Sequence, residues 1–78
     1  MNLMTIAANI LDVPADRLSD ASTGQNTPNW DSARHIDLLL TVEVAFGVQF
    51  SMAEITRMYS LGDMRAMLEA KGAETLAA

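Results

Sequence analysis

Cysteine is missing altogether, so disulfides, thiolate metal sites and any thiol nucleophile belonging to the polypeptide are excluded. Basic residues are scarce: five Lys and Arg stand against ten Asp and Glu, for a formal net charge of −5. That balance opposes binding to a nucleic-acid backbone, which proceeds by neutralising phosphates, and suits a basic partner surface better. No apolar run approaches the ~20 residues of a membrane span, and the amino terminus lacks the positive region and cleavage site of a signal peptide. A cytoplasmic chain that contacts neither membrane nor nucleic acid is expected. There is no glycine-rich phosphate loop, no Cys/His metal-ligand spacing and no EF-hand arrangement of carboxylates, so no metal is expected. The single histidine, His35, falls beside the apolar stripe of its helix, where a boundary role outweighs that of a general base. With no assembled catalytic set, the chain is not expected to be an enzyme.

What is present is helical patterning. At 78 residues the chain, 1–78, is one small domain near the size where a single core only just suffices. Leu3, Ile6, Ala7, Ile10 and Leu11 recur at three- and four-residue spacing and predict a first helix over Asn2–Leu11. Val13-Pro14 should end it, because proline disfavours the helical region for the residue before it. A turn through Ala15, Asp16 and Arg17 then returns Leu18 to the core. Residues 19–29 have almost no apolar side chain, a loop composition long enough to set the first two helices antiparallel. Loops of that length in compact domains are often functional, and a merely flexible crossover is the alternative. Trp30 is expected to pack the loop against the helices, its indole N–H needing a partner if buried.

Farther on, Ser51 is followed three residues later by Glu54, a capping box that opens a short third helix to about Arg57 with Ile55 and Met58 turned inward. Ser60, with Asp63 in the first turn, opens a last helix to about Lys71 whose stripe is Leu61, Met64, Met67 and Leu68. Gly72 suits the position just past its end, and residues 73–78 are expected to fray. The six methionines read mainly as adaptable core filler.

The second helix, about Ser32–Phe46, is apolar over more of its circumference than a one-sided surface helix requires. At ~100° per residue two stripes separate. Leu38, Leu39, Val42 and Phe46 fall with His35, and Ala33, Ile36, Leu40 and Val44 lie beside them. Asp37, Thr41 and Arg34 take the remaining face, and Glu43 sits in the gap. One stripe must be core, and periodicity leaves the other open between core and surface. Gly47 stops the helix. Its start, Asp31-Ser32, offers unpaired backbone N–H groups and a partial positive charge that favour a phosphate, while either residue could equally be a plain N-cap.

The run Trp30-Asp31-Ser32-x-x-His35-Ile36-x-Leu38, followed by Phe46-Gly47-Val48-x-Phe50 and Ser60-Leu61-Gly62-Asp63-Met64, resembles the acyl carrier and peptidyl carrier protein family over nearly the whole chain. In that family the serine of an Asp-Ser-Leu motif carries 4′-phosphopantetheine, whose thiol holds an acyl group as a thioester. The sulfur that this chain lacks would thus be brought in. Ser32 is the matching serine, and Ala33 stands where the family usually has leucine. The resemblance implies an all-α, four-helix bundle of the acyl-carrier type with a short third helix and a long loop between helices one and two. It implies a non-catalytic carrier, expected to be a monomer, that is itself the substrate of a phosphopantetheinyl transferase. Coenzyme A would supply the arm, with Asp31 helping to hold Mg²⁺ at that step. Loading and acyl-transfer enzymes would dock on Ala33, Ile36, Asp37, Leu40 and Glu43. Of the other serines, Ser19 and Ser22 lack a following helix, and Ser51 and Ser60 are caps. The pattern does not separate fatty-acid, polyketide and nonribosomal-peptide pathways, although Trp-Asp-Ser with His-Ile resembles carriers of dedicated secondary pathways somewhat more than the strongly acidic fatty-acid type. The alternative is an unmodified helical interaction module that binds one partner through the same flank.

Overall fold

Asn2 shows how the chain starts its first helix: its Oδ1 accepts the Thr5 N–H at 2.8 Å, satisfying one of the donors that a helix start leaves unpaired. The structure, a computed structural model, describes residues 2–72, so the expected fraying of 73–78 lies outside the described residues. Among them are four helices and no strand: α1 Leu3–Leu11, α2 Ser32–Phe46, α3 Met52–Ile55 and α4 Leu61–Ala70. None is long and apolar enough to cross a membrane.

α1 stops before proline acts. Asp12 turns left-handed (φ 55°, ψ 48°), and the Val13 N–H reaches back to the Ala8 carbonyl at 3.2 Å. Gly47 (φ 67°) closes α2 in the same way, with the Val48 N–H on the Glu43 carbonyl at 3.1 Å. Asp12 therefore does with a Cβ what Gly47 does without one, in a region that penalises most side chains. Pro14 then leads into a 3₁₀ turn over Ala15–Arg17, and Leu18 is buried behind it, as expected.

α3 is shorter than the predicted run to Arg57. It ends at Ile55 because the Thr56 hydroxyl takes the Ala53 carbonyl at 2.8 Å, and the Arg57 and Met58 N–H groups pair three residues back, with Glu54 and Ile55. Such local hydroxyl bonding competes with α-helix propagation. Both capping boxes form, Ser51 with Glu54 and Ser60 with Asp63. α4 ends one residue before the expected Lys71, and Gly72 takes the left-handed conformation (φ 76°).

The core is one cluster. α1 contributes Leu3, Ile6, Ala7 and Leu11, α2 Leu38, Leu39 and Val42, and α4 Leu61, Met64 and Leu68. Val13, Leu18, Trp30, Phe50 and Met58 close its ends, and Phe46, Ile10, Ile55 and Met67 pack at its margin. Each large side chain buried here contributes roughly 1.5–3 kcal/mol. Met52 departs from the filler role of the methionines: it is exposed.

The loop before α2 is a fixed strap. Its carbonyls serve the start of α4: the Leu61 N–H donates to Ser22 O at 3.1 Å and the Gly62 N–H to Asp20 O at 2.9 Å. The Asp63 N–H donates to Ser60 Oγ at 3.0 Å, so the first three donors of α4 all have partners. A Cβ on Gly62 would stand 2.9 Å from the Asp20 carbonyl oxygen, so only glycine permits this approach. Arg65 adds an ion pair to Asp20 at 3.1 Å. At the other end, Asn29 Nδ2 donates to the Leu11 carbonyl at 2.8 Å. Anchored to α4 and to the end of α1, the strap delivers Trp30 and Ser32 to one end of the molecule.

Candidate functional site

Two polar side chains stand at the start of α2, and the structure separates their roles. Asp31 is the cap: its backbone is extended and its Oδ1 accepts the Arg34 N–H at 2.9 Å. Ser32 is the first helical residue and is exposed. Its hydroxyl is not used in capping. Asn29 fixes the approach, holding the left-handed region (φ 69°) that asparagine tolerates better than most residues. Its carbonyl receives the Asp31 N–H at 3.0 Å and Arg34 Nη1 at 3.3 Å. The N–H groups of Ser32 and Ala33 have no protein partner among the described residues, leaving the positive end of α2 open beside the serine.

Ser32 stands on the rim of a groove of about 740 Å³. Trp30, His35 and Ile36 form one wall, Ile55, Met58 and Tyr59 the other, and Thr23 to Gln25 of the strap close one end. Trp30 is buried, and its indole donates Nε1–H to His35 Nδ1 at 3.0 Å. The ring centroids are 5.9 Å apart and the planes 25° from parallel, a geometry of rings meeting edge to edge through a hydrogen bond. An imidazole that accepts at Nδ1 carries its proton on Nε2 when neutral. Burial pushes the His35 pKa below the ordinary histidine value, because the interior disfavours the cation. No hydrogen bond joins His35 to Ser32 among the described residues.

The predicted docking flank is on the surface. Ala33, Ile36, Asp37 and Leu40 are exposed, and so is Val44, with Ile36 at 51% and Leu40 at 55% of full accessibility. This resolves the choice that periodicity left open: the second stripe of α2 is not core. Glu43 differs from the others, being half-buried with Oε2 accepting the Phe50 N–H at 2.7 Å, where it braces the link to α3. Sequence reasoning missed that brace, the Trp30–His35 bond, and the exposed Tyr59 and Met52 of the α3 side. A signal for the second was present, since an indole N–H needing an acceptor and an imidazole able to supply one stand five residues apart across a helix start.

Among the described residues no group of three or more His, Asp or Glu side chains could hold a metal ion. Asp31 can offer only its second carboxylate oxygen, so a divalent ion here would need further ligands from a partner and its substrate. No protein-family model matches the chain, and no curated protein matches it either.

Proposed function

We propose that the chain is a carrier domain of the acyl-carrier type, with Ser32 bearing a 4′-phosphopantetheine arm. One observation carries the reading: an exposed serine hydroxyl at the first residue of α2, relieved of capping by Asp31, on the rim of an open groove. The order of elements supports it as well, with the long strap before α2 and the four-residue α3.

The residues fit such an arm. The free N–H groups of Ser32 and Ala33 and the helix dipole favour a negative phosphodiester by ~0.3–1 kcal/mol. The groove beside it has apolar walls in Ile36, Ile55 and Met58. In the modification, Ser32 loses its hydroxyl proton to a base of the transferase, and Oγ becomes the ester oxygen of a new phosphodiester. The pyrophosphate link of coenzyme A breaks, and adenosine bisphosphate leaves with the bridging oxygen. Asp31 would help to hold Mg²⁺ through the carboxylate oxygen that does not cap α2, the remaining ligands coming from the partner and coenzyme A. When bound, the arm supplies the thiol for thioester chemistry. Ser32 tethers that thiol, raising its effective concentration at a docked enzyme, and the α2 flank selects the enzyme.

Intact-mass measurement after incubation with coenzyme A, Mg²⁺ and a permissive transferase tests this. One phosphopantetheine should be gained. Ser32→Ala should abolish the gain with helical content nearly unchanged, because Asp31 still caps α2. A gain that survives in Ser32→Ala would refute the assignment. The second reading, an unmodified helical interaction module, is favoured by the uncovered Ile36–Leu40–Val44 stripe, and it predicts no gain with any transferase.

A further inference from the structure

His35 is used in neither the fold's core nor the modification step, yet it lines the same groove as Ser32. The two are three residues apart on α2, so their side chains neighbour each other on one helix face. A neutral imidazole has one donor and one acceptor, and the acceptor is spent: Nδ1 receives the Trp30 indole N–H at 3.0 Å. That bond fixes the tautomer, and Nε2–H has no protein acceptor among the described residues. Arg34, the cation in the first turn, is turned to the Asn29 carbonyl. The ionisable groups lining the groove with His35 are Asp31 and Tyr59, and neither makes a hydrogen bond or ion pair with it. Just past α3, Thr56 also lines the groove, its hydroxyl spent on the Ala53 carbonyl, and the strap adds Thr23 and Gln25.

We propose that His35 is a positioning residue for the group on Ser32: Trp30 locks the imidazole so that Nε2–H serves as the donor to a phosphate diester at Ser32. The inference rests on the carrier reading and deepens it. Its chemical content is the Nε2–H of the neutral imidazole offered to a singly charged phosphate, and the pair would hold the first atoms of the arm against α2. Trp30 acts through His35, by denying it the other tautomer.

The chain has one histidine, so its NMR titration is unambiguous. The full chain is loaded with coenzyme A and a transferase, and loading at Ser32 is confirmed by mass. The ¹H and ¹⁵N resonances of His35 are then followed from pH 4 to 9 in the unloaded and loaded forms. A nearby anion favours the imidazolium, so the midpoint in the loaded chain should be higher by about 0.5 pH unit or more, a threefold gain in proton affinity. The ³¹P resonance of the diester should move with the same midpoint, and it should lose that movement in loaded His35→Gln, which keeps an acceptor for Trp30. A loaded chain whose histidine midpoint matches the unloaded one within about 0.1 pH unit, with a flat ³¹P resonance, would overturn the positioning role and leave the carrier reading intact. Absence of any mass gain overturns both, since no anion then exists on Ser32.

Discussion

Trp30 and His35 each meet a need of the other: a buried indole N–H left without an acceptor costs about 1–3 kcal/mol, and the imidazole supplies that acceptor only while Nδ1 is unprotonated. This makes stability depend on pH in a defined sense. Burial lowers the His35 pKa in the folded chain, so between the lowered value and the unfolded value of about 6.5 the unfolded chain binds more protons. The contribution of the neutral pair is fully present above about pH 6.5 and is lost as pH falls through the folded value. Urea midpoints should therefore decline from pH 8 towards pH 5 in the parent and stay flat over that range in His35→Gln; a parent as flat as the variant would show that the imidazole is not held neutral. Both partners were legible in the sequence, the indole as a group in need of an acceptor and the histidine as a boundary residue. Their pairing was not, because it also depends on the turn at Asn29, and an asparagine that tolerates the left-handed region does not by itself show that the chain turns there. Asp12 is a second residue set by backbone conformation. It combines a left-handed Cβ with a negative charge at the C-terminus of α1, and both are unfavourable. Asp12→Asn should raise stability by about 0.5 kcal/mol, read as an upward shift in thermal midpoint.

Helix starts and stops were the most readable elements, because they are local. Stripes, helix caps and terminal glycines are set by residues close in sequence, and among the described residues four helices form where four were expected. The link between the strap and α4 was not readable. Leu61 and Gly62 donate to the backbone carbonyls of Ser22 and Asp20, and carbonyls carry no signature of residue type. Gly62→Ala separates the two levels of description. Helix propensity alone favours alanine over glycine by ~1 kcal/mol in a helix interior. The structure predicts the reverse sign, because the new Cβ would meet the Asp20 oxygen at 2.9 Å and must push the strap from the helix, at a cost of about 1–3 kcal/mol. A stabilised Gly62→Ala chain in denaturant melts would mean that the strap does not bind there. The caps give a second element-scale test: Ser60→Ala and Ser51→Ala should each cost about 1 kcal/mol. The carboxylates of the same boxes set an acid limit. The Ser51 N–H, followed by Lys71, holds Glu54 below the usual carboxylate range, and the Tyr59 N–H, with that of Ser60, holds Asp63 below it. Stability from depressed carboxylates is present above their unfolded values near pH 4 and is lost as pH falls through the folded values. The acid limit therefore lies below the range in which His35 acts.

At the scale of the whole molecule, the net charge of −5 suggests a partner drawn in by charge, but the face beside Ser32 is less acidic in effect than its composition. Asp31, Asp37 and Glu43 against Arg34 give that segment a formal charge of −2, three carboxylates less one guanidinium. Of these carboxylates, Glu43 is bonded to the Phe50 N–H and one oxygen of Asp31 to the Arg34 N–H. Asp37 is left as the exposed carboxylate without a hydrogen bond among the described residues, on a flank otherwise made of Ala33, Ile36, Leu40 and Val44. On the proposed carrier reading, docking on this flank should then lean on apolar contact, with charge setting the encounter rate. Leu40→Asp is the discriminating variant. An exposed position away from special structural features changes stability by within about 0.5 kcal/mol, so its thermal midpoint should barely move. Loss of a central apolar anchor costs an interface more than about 1 kcal/mol, so acyl transfer from the cognate enzyme should fall roughly tenfold. Raising salt from low to physiological levels, where the screening length shortens to about 8 Å, should slow association of the parent only modestly. If Leu40→Asp transfers at the parental rate while salt abolishes transfer, the carboxylates rather than the apolar stripe decide partner choice, and Asp37, the one left unbonded, becomes the residue to replace.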